Sequence, residues 1–110
     1  MTQKEKKIHT VKKAVERYLE KIEGEGIRVR KAYLYGSYAR GDFRRDSDID
    51  VCVIAENIRS TSGKDWLKLA KARWDIDLRI EPIGYSVEEF EEKEWLPLIH
   101  EIQSNGVRVR

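Results

Sequence analysis

The sequence predicts a small α/β sandwich built on a mixed β-sheet. Three observations lead there. Apolar residues recur at helical spacing over the first 24 positions. Runs rich in β-branched residues alternate between apolar and polar side chains. These segments interleave in the order α-β-β-α-β-α-α instead of segregating into separate halves. With 110 residues there is room for one modest core and one simple site, so residues 1–110 are expected to form a single domain.

Each element has its own signal. Thr2 and Glu5 have capping-box spacing ahead of Ile8, Val11, Val15, Tyr18, Leu19 and Ile22, which places a helix there; Gly24 and Gly26 end it. Ile27 to Tyr35 reads as a strand. Gly36 to Asp46 is a polar, glycine-punctuated connection, and Asp48 to Ala55 is a second strand. In that strand Ile49, Val51 and Val53 share one face, and Asp48, Asp50, Cys52 and Ile54 share the other. Ser62 with Asp65 caps a short helix running to about Arg73, with Trp66, Ala70 and Trp74 on one side, expected in the core. Asp75 to Glu81 reads as a third strand, with Ile76, Leu78 and Ile80 facing one way and Asp75, Asp77 and Arg79 the other. Ser86 and Glu89 form a second capping box, opening an acidic helix. Pro97 fits the first turn of a last helix ending near Asn105-Gly106, and Val107 and Val109 suit a short edge strand.

Composition narrows the function. Hydrophobic residues make up 40% and charged residues 38%, too apolar for disorder and too charged for a membrane protein. No signal-peptide pattern opens the chain, and a cytoplasmic protein is expected. The single cysteine, Cys52, excludes an internal disulfide and any multi-thiolate metal centre. Net charge is +2, but residues 1–45 hold thirteen Lys and Arg against six Asp and Glu, and the remainder nine against fourteen. The lysines of the first helix read as a solvated face, and nucleic acid is not expected as a partner.

The chemistry concentrates in Gly36-Ser37-Tyr38-Ala39-Arg40-Gly41 and Ser47-Asp48-Ile49-Asp50-Val51. Gly36 follows a strand and permits a tight turn. Ser37 then opens a short helix, where free backbone N–H groups and a hydroxyl together suit a phosphate. Arg40, Arg44 and Arg45 can add positive charge around the same anion; Arg40 could instead pair with Asp42 or Asp46, and Arg44 and Arg45 read as mobile surface charges. Asp48 and Asp50 are two apart on a strand, so both carboxylates leave one face, a spacing that suits divalent cations at a phosphoryl-transfer site. A third carboxylate from a neighbouring strand would complete the set; Asp77 is suited to it, and Asp75 shares its face as the alternative.

Together these residues resemble the signature of the minimal nucleotidyltransferases, a small prokaryotic branch of the DNA polymerase β-like superfamily. Ile76-Asp77-Leu78 resembles that family's third-carboxylate strand, and Tyr85 to Phe90 the start of the following helix, so the likeness spans roughly residues 27–106. Val51 stands where leucine is common. The resemblance implies a polymerase β-like fold. It also implies transfer of a nucleoside monophosphate, AMP from ATP in part of the family, to a hydroxyl. Two Mg²⁺ ions would be held by Asp48, Asp50 and Asp77, with Asp77 as general base. Gly36 and Ser37 would hold the β- and γ-phosphates, with Arg40 beside them. The minimal members often accompany a helical HEPN-domain toxin, so a HEPN-type partner and an antitoxin role are implied. Two other readings compete: a non-catalytic module that neutralises such a toxin by contact, and an aminoglycoside-type enzyme acting on a small molecule.

Overall fold

The computed structural model describes residues 1–110. Helix α1 (Gln3–Gly24) begins with the Thr2–Glu5 capping box formed in both directions. The chain continues through β1 (Val29–Tyr35), the single-turn α2 (Ser37–Arg40), β2 (Ile49–Ala55) and α3 (Gly63–Ala72). After a 3₁₀ turn at Arg73–Asp75 come β3 (Ile80–Ser86), α4 (Val87–Glu92), α5 (Pro97–Asn105) and β4 (Val107–Arg108). The strands lie in the order β3-β2-β1-β4. β1 runs antiparallel to both β2 and β4, whereas β3 runs parallel to β2 and is reached by the crossover through α3. The sheet is mixed, as the sequence predicts.

Its two faces differ. Ala32, Leu34, Ile49, Val51, Val53 and Ile80 point at α1 and α3 and form the larger core with Val11, Val15, Leu19, Ile22 and Leu69. Tyr18, fully buried, donates its hydroxyl to the Leu69 carbonyl at 2.7 Å and ties α1 to α3. The opposite face is covered by α4 and α5 along only part of its length, where Cys52 and Ile54 meet Phe90, Ile99 and Ile102. Beyond that cover, Tyr35, Asp50 and Glu81 share the face. No helix is long and apolar enough to cross a membrane.

The outer edge of β3 is guarded. Ile49 N–H donates to the Arg79 carbonyl at 2.8 Å, and with the parallel register this turns the backbone groups of Glu81, Ile83 and Tyr85 toward β2. Those of Ile80, Pro82, Gly84 and Ser86 therefore face outward. Arg73 donates to the Ile80 carbonyl at 3.0 Å, Pro82 has no N–H, and Ser86 N–H donates to Glu89 Oε1 at 2.8 Å. Only short lengths of this edge remain able to pair with another strand.

Two expectations fail. The third strand is not Asp75–Glu81; it starts at Ile80. The Asp77 carboxylate accepts from Arg79 N–H at 3.0 Å, from Arg79 Nε at 3.1 Å and from Nη2 at 2.9 Å, and Ile80 N–H donates to the Asp77 carbonyl. These local bonds give the backbone a turn to adopt in place of a ladder. Trp66 and Trp74 are also not core residues: they are 57% and 71% exposed. Leu69, Ala70 and Ala72 supply the buried side of α3, and small residues there let the helix lie close to the sheet.

Candidate active site

The site forms where the C-terminal end of β1 meets the N-terminal ends of β2 and β3. β1 ends at Tyr35, and Gly36 reverses the chain with φ of 72° and ψ of −144°. Two constraints make glycine necessary there. The positive φ disfavours a side chain, and a Cβ would overlap Asp50 Oδ2 while standing 3.1 Å from Asp50 Cγ. The strand-to-helix turn is thus packed directly against the carboxylate it serves. Ser37 opens α2, whose first-turn N–H groups have no partners within so short a helix. Gly41, at φ of 82°, closes it by donating to the Ser37 carbonyl at 2.9 Å.

The connection to β2 is fixed from within. Tyr38 is buried and stacks on Phe43 with ring centroids 4.4 Å apart. Ser47 accepts from Arg44 N–H at 2.7 Å through its hydroxyl and donates its own N–H to the Arg44 carbonyl at 3.1 Å. That closed turn delivers Asp48, exposed, and then Asp50, half-buried, to the head of β2.

Register identifies the neighbours of Asp50. Tyr35 is its antiparallel partner on β1 and Glu81 its parallel partner on β3. Paired residues project from the same face, so Glu81 is the carboxylate that the third strand brings to Asp50. Asp77 lies before that strand, engaged with Arg79. Asp75 is exposed and pairs with Lys21 at 3.2 Å. The structure therefore brings Gly36, Ser37, Arg40, Asp48 and Asp50 to one end of the sheet, adds Glu81, and holds Asp77 apart in a satisfied ion pair.

The electrostatics agree with this geometry. Burial raises the Asp50 carboxyl above its ordinary value; the charges of Asp48 and Glu81 push it further up, and Arg40 opposes them. Burial, then Asp50, also pushes up the Tyr35 phenol, which stays a neutral hydroxyl. Asp77 is held low by the Arg79 hydrogen bonds. Arg40 donates from Nε to Asp42 Oδ2 at 3.2 Å, with Glu101 of α5 3.9 Å from Nη1. Its guanidinium is exposed and can leave Asp42 for a stronger anion. No three carboxylate, imidazole or thiolate side chains stand converged on one point. The donors at the head of the sheet are nonetheless all hard carboxylate oxygens of mutually repelling groups, which fits Mg²⁺ and not a soft metal.

Sequence reasoning missed Glu81. A partial signal was present: the Ser86–Glu89 capping box fixes where β3 ends, and counting back in steps of two from Tyr85 through Ile83 puts Glu81 on one face. The same parity includes Asp77 and Asp75, and pairing with β2 decides among them.

Comparison with known proteins shows the family. The family model described as a nucleotidyltransferase domain matches residues 8–109. Two Methanocaldococcus jannaschii proteins, each named "putative protein adenylyltransferase", are similar to parts of the chain. One is 33% identical over 57 residues, covering 50% of this chain and 58% of that protein. The other is 48% identical over 29 residues, covering 26% of this chain and 29% of that protein. The chain thus spans less than two thirds of either relative. A Sulfolobus solfataricus crystal structure described as a "putative nucleotidyltransferase" superposes with a TM-score of 0.69 at 18% identity, covering 98% of this chain and 86% of that one. A toxin–antitoxin structure with AMP-PNP superposes with a TM-score of 0.63 at 20% identity, covering 90% and 72%. These two likenesses show the fold.

Proposed function

From the premise that the chain belongs to the nucleotidyltransferase domain family, we propose that it transfers AMP from ATP to a hydroxyl on a partner protein. Asp48, Asp50 and Glu81 are its metal-binding carboxylates. The observation that carries the site assignment is the packing of Asp50 into the space above Gly36, with Glu81 beside it in register. The names of the relatives, protein adenylyltransferase and toxin–antitoxin, support a protein acceptor and a toxin partner, HEPN-type in our reading.

When bound, Mg²⁺ would offset the triphosphate's charge and polarise its α-phosphoryl group. Residues of the chain do the rest. Ser37 donates its hydroxyl to a phosphate oxygen, and the first-turn N–H groups of α2 point the same way. Arg40 exchanges Asp42 for the phosphates. Glu81, exposed beside Asp50, takes the proton from the attacking hydroxyl. A new oxygen–phosphorus bond forms at the α-phosphorus, the bond to the bridging oxygen breaks, and pyrophosphate leaves.

The test is to incubate the chain with ATP, Mg²⁺ and a co-expressed HEPN-type partner, then weigh the partner by intact mass spectrometry. The reading expects a gain of one or more AMP units that disappears in Asp50→Asn. A stable complex with no mass change would replace it with the contact-only antitoxin. Modification of a small alcohol without any complex would replace it with the small-molecule enzyme.

A further inference from the structure

A group of unpaired cations lies on the other side of the signature segment. A hollow of about 250 Å³ opens between the start of α1, the α2 turn and the residues leading into β3, lined by Lys6, Lys7, Thr10, Tyr38, Arg45 and Arg79. It presents four cations and no carboxylate. Arg79 is paired with Asp77 at 2.9 Å. Lys6, Lys7 and Arg45 are exposed and have no acidic partner within ion-pair distance. Like charges gathered in a concave site focus their potential and favour an anion that enters it.

We propose that this hollow docks an acidic segment of the protein that carries the acceptor hydroxyl. The inference rests on the protein-acceptor reading above and adds to it how that acceptor is recognised. Its position supports the assignment: Tyr38 follows Ser37 directly, and Arg45 stands three residues before Asp48, so the hollow borders the signature segment on both sides. Val11 and Tyr38 place the hollow on the α1 face of the sheet, so a chain held there by its acidic side chains reaches Asp50, on the opposite face, by passing around the α2 turn. Size and lining favour a polypeptide over nucleic acid. The volume is below the roughly 300–1,000 Å³ of small-molecule pockets, sufficient for one or two carboxylate side chains. Tyr38 is 4% exposed and stacked on Phe43, so it offers no open ring for a base.

The experiment reads docking without ATP, so its outcome is separate from that of the transfer assay. A fluorescent glutamate-rich peptide containing one tyrosine is titrated with the chain at low salt and followed by anisotropy. Binding should weaken about tenfold or more in Lys6→Glu/Arg45→Glu, with the melting temperature retained. Amide shifts in a ¹⁵N-labelled sample should centre on Lys6 to Thr10, Tyr38, Arg45 and Arg79. Shifts centred instead on Lys64, Lys68 and Lys71 of α3 would overturn the proposal. So would tighter binding of a thymidine oligonucleotide, binding of free tripolyphosphate but not of the peptide, or no binding at all. Docking without any mass gain in the transfer assay would refute the transferase reading and leave the anion site standing.

Discussion

Asp50 and Asp77 are both half-sheltered carboxylates near the start of a strand, and the fold treats them in opposite ways. Asp77 accepts three hydrogen bonds from Arg79 and is held low. Asp50 is packed against Gly36 with Asp48 and Glu81 nearby and is pushed up. The first arrangement stabilises the native chain. The second costs stability whenever Asp50 is ionised, and such a cost is tolerated where a bound cation or substrate will relieve it. The contrast separates a carboxylate built for structure from one built for a ligand.

Substitutions can break or sharpen that contrast. Asp50→Asn should reduce AMP transfer roughly a hundred- to a thousandfold or more while raising the melting temperature, because it removes a strained charge. A transfer assay and a thermal melt on one preparation check both halves. Glu81→Gln should slow transfer by about 10²–10⁴ if it takes the acceptor proton, whereas Asp77→Asn should leave transfer near wild type; the reverse pattern would return the role to Asp77. Ser37→Ala should weaken ATP binding by about 1–3 kcal/mol, the value of one hydrogen bond to a charged group, as read by calorimetry with Mg²⁺. Asp77→Asn should lower stability by about 1 kcal/mol in urea titrations, discounted because Arg79 is partly exposed.

The smallest expected effect is in pH dependence, where the two acids have opposite signs. Asp50 has a raised folded value, so the stability linked to its protonated form is complete below the unfolded carboxylate range and is lost as pH rises through the folded value. Asp77 has a lowered folded value, so its contribution is present above the unfolded range and is lost as pH falls through the folded value. Urea titrations from acid to neutral pH should show Asp77→Asn less sensitive to acid than wild type, and Asp50→Asn gaining stability relative to wild type as pH rises.

Where local chemistry decides structure, the sequence was readable. Both capping boxes, the alternation in β2 and the stop after Asn105 formed as their residues predict. Gly36, Ser37, Asp48 and Asp50 could be grouped because contiguous residues dictate the turn and the strand face. The third carboxylate could not be placed in the same way. Asp75 to Glu81 alternates like a strand, but its first part is taken by the Asp77–Arg79 pair, and only pairing with β2 shows which acid meets Asp50. Trp66 and Trp74 were misjudged for a related reason: α3 meets the sheet through Leu69, Ala70 and Ala72, a choice made by helix–sheet packing and not by side-chain hydrophobicity.

β3 also acts as a ruler with parity. One end is set by the Asp77–Arg79 turn and the other by the Ser86–Glu89 cap, whose Glu89 carboxylate also takes the Ser60 N–H at 2.9 Å and the Ser60 hydroxyl. Four residues lie between Glu81 and the cap residue Ser86. Because side chains alternate, adding or deleting one residue in that interval would turn Glu81 toward the apolar core under α1, whereas changing it by two would keep its face. Natural variation in this segment should therefore occur in even steps, a constraint that reaches the active end of the sheet from a helix cap at its far end.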